Sequence, residues 1–283
     1  GDALGMSAAP ALASAEEVAH YQREGWLIPR WRLPEARVRA LQQALEQLLQ
    51  ANPGVRPEKL VSAHLQARAG ADNGEGVRGH RAFLELALAP DIVELVSQVL
   101  GEHLILWGCH VFCKPAGDGY ETPWHQDGHY WPIRPLATCT AWVALEPSTK
   151  ANGCLRVIPG SHREHVLHPH LAEDRSDLTL NQRLDAAHFD ESSAVDLELS
   201  PGQMSLHDVY MIHGAAANRS TQRRTGVALR YMPSTSVFER HLRPVDGKSG
   251  VPVDFARRPL WLLKGVDRSG RNDFETGHRR PAP

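Results

Sequence analysis

Residues 103–114, HLILWGCHVFCK, form an apolar run rich in strand-forming side chains, and they mark the point where the chain changes character. From here on, short β-type runs alternate with Gly and Pro: TPWHQD (122–127), ATCTAWVALE (137–146), CLRVIPG (154–160), AVDLELS (194–200), QMSLHD (203–208), VYMIHG (209–214) and RTGVALRYMP (224–233). Eight such runs with turn signals between them predict a mainly β fold, a double-stranded β-helix or jelly roll. PGSH and PGQM read as turns rather than phosphate loops, and no internal repeat is visible.

Upstream the periodicity is helical. Ser14 followed by Glu17 is a capping-box signature, with Val18, Tyr21 and Trp26 to pack a short helix. In LPEARVRALQQALEQLLQANPG (33–54), Pro34 stands at a helix start, and Val38, Leu41, Leu45, Leu48 and Leu49 share one stripe before Pro53 and Gly54 end it. HRAFLELALAPDIVELVSQVLG (80–101) is broken by Pro90 and is expected to restart with Asp91 as N-cap. These helices are expected to cover one face of the barrel as a scaffold with little chemistry of their own. Residues 161–194, polar and without period, form a long insertion between strands.

With 283 residues, 42% hydrophobic, 23% charged and a formal net charge of -2, the composition is that of an ordinary globular protein and points to no nucleic-acid or membrane partner. No apolar run approaches the roughly 20 residues of a membrane span. The opening GDALGMSAAPALAS lacks a secretory pattern, and the five residues before Met6 read as foreign to the natural chain. A cytoplasmic location is expected, in which Cys109, Cys113, Cys139 and Cys154, spaced like no common zinc site, stay reduced. Several of the sixteen histidines crowd into HREHVLHPH (162–170), expected to be a solvated loop.

The chemistry concentrates in PWHQDGHYW (123–131). On a strand, His125 and Asp127 share a face while Gln126 points away, as an ordinary pair or as two ligands awaiting a third. His213 stands at the end of an apolar run and can converge on them across a jelly roll. Two histidines and one carboxylate make the facial triad that holds iron(II) with three positions open. Eleven residues on, Arg224 shares a strand face with Gly226, Ala228 and Arg230, small neighbours that leave room for an anion at its fork. Arg223 faces the other way and is expected to be solvated. Candidate substrate contacts flank the triad: His129, Tyr130, Trp131 and Arg134 after it, Trp107 and His110 before it.

HQDGHYWPIRP, then TAWVALEPSTKANGCLRVIPGSH, then IHGAAANRS resemble the phytanoyl-CoA dioxygenase family of iron(II)/2-oxoglutarate oxygenases, over about Trp107 to Tyr231. The resemblance implies that His125, Asp127 and His213 bind Fe(II), that Arg224 binds the distal carboxylate of 2-oxoglutarate, and that Lys114 and Trp142 line the co-substrate pocket, with O2 as second co-substrate. It also implies one oxygenase domain over 1–283: a mainly helical scaffold (6–102), a jelly-roll core (103–235) and a C-terminal extension (236–283). Ala215 departs from the pattern, since phytanoyl-CoA hydroxylating members tend to carry a hydroxyl residue there.

The expected reaction is hydroxylation of an unactivated C–H bond in a small-molecule substrate, with 2-oxoglutarate converted to succinate. Asp127 disfavours a halogenase, which resembles these enzymes but has Gly or Ala at that place. Hydroxylation of an acyl-CoA thioester, a zinc-dependent hydrolase and a non-catalytic jelly-roll binding module stand as alternatives. A monomer or homodimer is expected, with the 161–194 insertion as a lid over the site.

Overall fold

The computed structural model describes residues 11–66, 71–243 and 254–278. Among them, the N-terminal part contributes helices α1 (Ala15–Glu24), α2 (Glu35–Ala51), α3 (Arg81–Leu88) and α4 (Pro90–Leu100), with short strands β1 (Trp26–Leu27) and β2 (Leu60–Val61). The capping box at Ser14 is present in both directions, and Gly25 ends α1 in the left-handed region that only glycine enters without strain. The stripe of α2 is buried at Val38, Leu41, Leu45 and Leu48. Asp91, expected as the N-cap of α4, is instead inside its first turn: Ala89 caps the helix and Pro90 takes the first helical position, where its missing N–H costs nothing. Asp91 pairs with Arg37 of α2.

The β region follows as β3 (Leu104–Lys114), β4 (Thr122–His125), β5 (Ile133–Arg134), β6 (Cys139–Ala144), β7 (Leu155–Val157), β8 (His170–Ala172), β9 (Gln182–Leu184), β10 (Val195–Leu197), β11 (Met204–Asp208), β12 (His213–Ala215), β13 (Arg224–Pro233), β14 (Val237–Phe238) and β15 (Trp261–Lys264). Two antiparallel sheets make the jelly roll: a large one in the order β1-β11-β6-β13-β3-β15, with β2 added against β3, and a small one in the order β10-β7-β12-β4. The C-terminal stretch is woven in, since β15 pairs with β3 and β14 with β5.

Alternation along each strand sorts the side chains. On β13, Val227, Leu229 and Tyr231 point outward into the core shared with α2, α3 and α4, together with Leu106 and Val111 of β3, Ala141 and Val143 of β6, and Leu206 of β11. The inner set, Arg224, Gly226, Ala228 and Arg230, lies opposite Lys114, Phe112, His110 and Gly108 of β3. The helices thus cover the outer face, as expected, and leave the inner one to the site. All four cysteines are free and buried.

The 161–194 insertion is more than a solvated loop. It forms the β8–β9 hairpin, and Leu184 and Phe189 pack with Ile158, Ile212 and Trp124. Buried Gln126 holds it: the Gln126 amide donates to the carbonyls of Val166 and Tyr210, and its oxygen accepts from His168 N–H.

Candidate metal and co-substrate site

Strand β4 stops at His125, and Asp127 opens a 3-10 turn that runs to Tyr130, so strand alternation is not what aligns the H-x-D pair. The turn curls Asp127 back until its Oδ1 is 3.1 Å from His125 Nε2. His213 opens strand β12 rather than ending the preceding run; Val209–Ile212 is a turn whose apolar side chains are buried in three separate clusters. Antiparallel pairing of β12 with β4 sets His213 directly opposite His125. His213 Nε2 then lies 3.3 Å from the same Oδ1.

The tautomers follow from the backbone. His125 Nδ1 sits 2.8 Å from the Pro123 carbonyl and His213 Nδ1 2.9 Å from the Met211 carbonyl. A carbonyl only accepts, so each Nδ1 carries the proton and each Nε2 turns a lone pair toward Asp127. Three buried electron-rich atoms, all within 4.8 Å of one another, converge on a point that calls for a cation. Before a metal binds, a proton takes its place: burial would raise the Asp127 carboxyl, but the charge of a protonated His213 and hydrogen bonds from His125, His207 and His213 outweigh it and hold it well below the ordinary range. Imidazole nitrogen and carboxylate oxygen with an open side suit iron(II).

Two further residues hold the other carboxylate oxygen. His207 Nε2 lies 3.4 Å from Asp127 Oδ2, and the Arg230 guanidinium 3.7 Å from it. Burial pushes the His207 imidazole down to about 4, so it is neutral. Neither residue stands out in the sequence as part of the triad. The available signal was phase: in QMSLHD, Ser205 and His207 alternate with Met204 and Leu206, and Arg230 is in step with Arg224.

Arg224 is buried on the inner face of β13. Its guanidinium lies 5.0 Å from the Trp142 ring, donates to the Gly153 carbonyl at 2.6 Å, and leaves Nε buried with no partner. No carboxylate pairs with it among the described residues, and burial pushes it down to about 10. The Trp142 ring lies flat on Gly226, where any side chain would collide with it. An unpartnered buried cation in such a cradle fits the carboxylate of 2-oxoglutarate. Lys114, its cross-strand neighbour, donates to the carbonyls of Tyr120 and Ala216, which fastens the loops around the cradle. Arg223 faces the other way but is not merely solvated: it ties Glu146 to Glu46 of α2 at 3.0 and 2.6 Å.

A cavity of about 720 Å3 opens beside the triad, lined by His125, Asp127, His110, Phe112, Tyr130, Trp131, Arg230, Phe255 and, from the insertion, Ala172–Asp174 and Thr179–Gln182. Tyr130 and Trp131 are therefore where a substrate contact was expected. His110 lines the cavity too, stacked on Phe112 at 3.7 Å and pushed by burial to about 3. His129 is not among its lining residues: it is stacked at 4.1 Å on His170, whose Nε2 accepts the Gln126 N–H. Arg134 is exposed and donates to its neighbours' carbonyls, because the short strand β5 turns it outward. Trp107, the extra residue of a β-bulge in β3, is buried core behind the cavity wall, packed edge-on against Trp131 at 4.5 Å.

Residues 21–226 match the sequence profile of the family described as Phytanoyl-CoA dioxygenase (PhyH). A probable phytanoyl-CoA dioxygenase of Caenorhabditis elegans is 27% identical over 78% of this chain and 75% of its own. Among solved structures, the non-heme monooxygenase ThoJ in its apo form superposes with a TM-score of 0.67 at 24% identity, covering 88% of this chain and 84% of that one. EvdO2 from Micromonospora carbonacea var. aurantiaca, complexed with 2-oxoglutarate, is 26% identical with a TM-score of 0.58 over 78% of this chain and 91% of that one. With a jelly roll, a buried His-Asp-His cluster and a profile match spanning most of its length, the chain belongs to the phytanoyl-CoA dioxygenase family of non-haem iron, 2-oxoglutarate-dependent oxygenases.

Proposed function

We propose that the protein hydroxylates an unactivated C–H bond of a small organic substrate, with His125 Nε2, Asp127 Oδ1 and His213 Nε2 holding iron and Arg224 gripping the distal carboxylate of 2-oxoglutarate. The observation that carries this reading is the pairing of two features inside the jelly roll: three buried ligand atoms of His125, Asp127 and His213 that converge on one point, and, on the facing sheet, the buried Arg224 with a nitrogen that meets no protein acceptor and no carboxylate partner among the described residues. Bound iron and 2-oxoglutarate supply the oxidising power, so that substrate C–H, 2-oxoglutarate and O2 become alcohol, succinate and carbon dioxide.

The chain's own residues orient and exclude. His207 and Arg230 flank Asp127 Oδ2 and would steady the carboxylate for a bound metal. Backbone carbonyls fix both ligand imidazoles. Phe112, Tyr130, Trp131 and Phe255 keep the reacting space dry, and the insertion supplies the wall through which specificity and closure act.

Adding iron(II) and 2-oxoglutarate without oxygen should produce a visible absorption band, and admitting oxygen should release succinate. Zinc retained through chelation, with no response to 2-oxoglutarate, would overturn the reading in favour of a hydrolase. An acyl-CoA thioester is the second substrate class, favoured by the name of the Caenorhabditis elegans relative; a succinate-release panel of small acids, amines, phosphonates and acyl-CoA thioesters separates it from the first.

A further inference from the structure

Arg224 and Arg230 stand on the same face of β13, six residues and about 20 Å of strand apart. The Arg224 cradle, walled by Trp142 and the Gly153 carbonyl, is not part of the cavity that Arg230 lines. Arg230 lines the cavity beside the metal cluster, lies over the Trp131 ring at 4.7 Å and makes one long hydrogen bond, 3.3 Å, to Thr140 Oγ1. Its nearest anion is Asp127 Oδ2 at 3.7 Å, which His207 already approaches at 3.4 Å and whose charge a bound metal would claim. The other charged groups at the cavity are engaged or remote: Glu58 accepts from Arg56 and from Tyr120 N–H, Glu173 pairs with Arg183, and Asp174 and Lys59 stand exposed at the rim. The fork's remaining N–H groups have no protein acceptor among the described residues.

We infer that Arg230 anchors the substrate by an anionic group, the carboxylate of a small acid whose apolar body lies among Phe112, Tyr130, Trp131 and Phe255. The planar fork matches a carboxylate with two parallel hydrogen bonds, and the aromatic wall beneath it removes competing water. The target C–H bond is then one close to the carboxylate, because Arg230 touches a residue of the metal cluster. An acyl-CoA offers the fork only a neutral thioester carbonyl and would carry its phosphates past Glu173 and Asp174. This inference rests on the oxygenase reading, and it separates from it in the test.

The protein is loaded with Mn(II) and 2-oxoglutarate, which blocks the Arg224 site and prevents turnover, and is titrated with matched pairs, butanoate against butanamide and 3-phenylpropanoate against 3-phenylpropanamide. Tryptophan fluorescence, with Trp131 under the fork, reports binding. Each acid should bind at least about tenfold more tightly than its amide, as charge-assisted bidentate hydrogen bonds require. Arg230→Gln should erase that preference and Arg230→Lys restore part of it. Mn(II) loading of each variant, read by electron paramagnetic resonance, is brought to saturation before the comparison, so that any support Asp127 loses does not enter it. Equal binding of acids and amides, no binding of either, or a preference that persists in Arg230→Gln overturns the assignment. The wild-type comparison decides even if a variant fails to fold. Failure of 2-oxoglutarate to perturb the Mn(II) spectrum condemns the oxygenase reading instead, whatever the acids do.

Discussion

Strand β13 has two faces built to opposite rules. Outward, Val227, Leu229 and Tyr231 are wholly buried in the core shared with the helices, and the Tyr231 hydroxyl donates to the Ala87 carbonyl. Inward, two arginines sit among Gly226 and Ala228, one with a buried nitrogen left unpartnered. The outer face follows the ordinary logic of a core, in which apolar area is removed from water and each polar group is paired. The inner face forgoes that stability and holds charges ready for ligands. The difference teaches where to look for function in a fold of this kind: at the polar phase of a strand whose other phase is core.

The sharpest test breaks the two faces separately. His213→Ala should end succinate release, a loss exceeding the roughly 100-fold that removal of a residue supporting a metal ligand costs, with the melting temperature of the metal-free protein little changed. Leu229→Ala should do the reverse, costing about 2–5 kcal/mol in urea unfolding while turnover per folded molecule is retained. If Leu229→Ala abolished turnover in the folded protein, the faces would not be independent.

Adjacent residues make the next comparison. Arg224→Ala should raise the 2-oxoglutarate KM, a loss on the order of 2–5 kcal/mol, without lowering stability, because the side chain removed is a buried and unpaired cation. Arg223→Ala should leave KM alone and cost about 1 kcal/mol or less, since its pairs with Glu46 and Glu146 are partly exposed. The opposite ranking would show the anion site on the wrong side of the strand.

A smaller effect is expected at His207. His207→Ala should weaken iron affinity by about 10- to 100-fold in a chelator competition, because Asp127 Oδ2 loses a partner that orients the carboxylate. Unchanged affinity would leave Arg230 as sufficient support.

The last effect lies in the core and appears only with acid. His64 is buried with both ring nitrogens unpartnered, and burial pushes its pKa down to about 3. The unfolded chain takes a proton there as pH falls below about 6.5, whereas the folded protein resists until about 3, so stability is lost across that window, at up to about 1.4 kcal/mol per pH unit from this group. His64→Phe should flatten the fall of urea stability between pH 6.5 and 4. Parallel curves for the two proteins would assign the acid loss to other groups.

Local periodicity carried much of this protein. The capping box at Ser14, the stripe of α2, the span of β13 and the inward phase of Arg224 were all legible, because period and cap chemistry depend on residues a few positions apart. Family motifs pointed to His125, Asp127 and His213 as a group. What required the tertiary structure involved partners distant in the chain. His207 meets Asp127 from 80 positions away, Gln126 fastens an insertion some 40 residues downstream, and Trp107 is the extra residue of a bulge that only pairing with β13 reveals. Arg134 looked like a pocket residue because it is near the triad in sequence, and Trp107 because it lies on the preceding strand; the backbone turned the first outward and packed the second behind Trp131. Burial and pairing decide what a polar side chain does, and both are properties of the packed sheets rather than of any one strand.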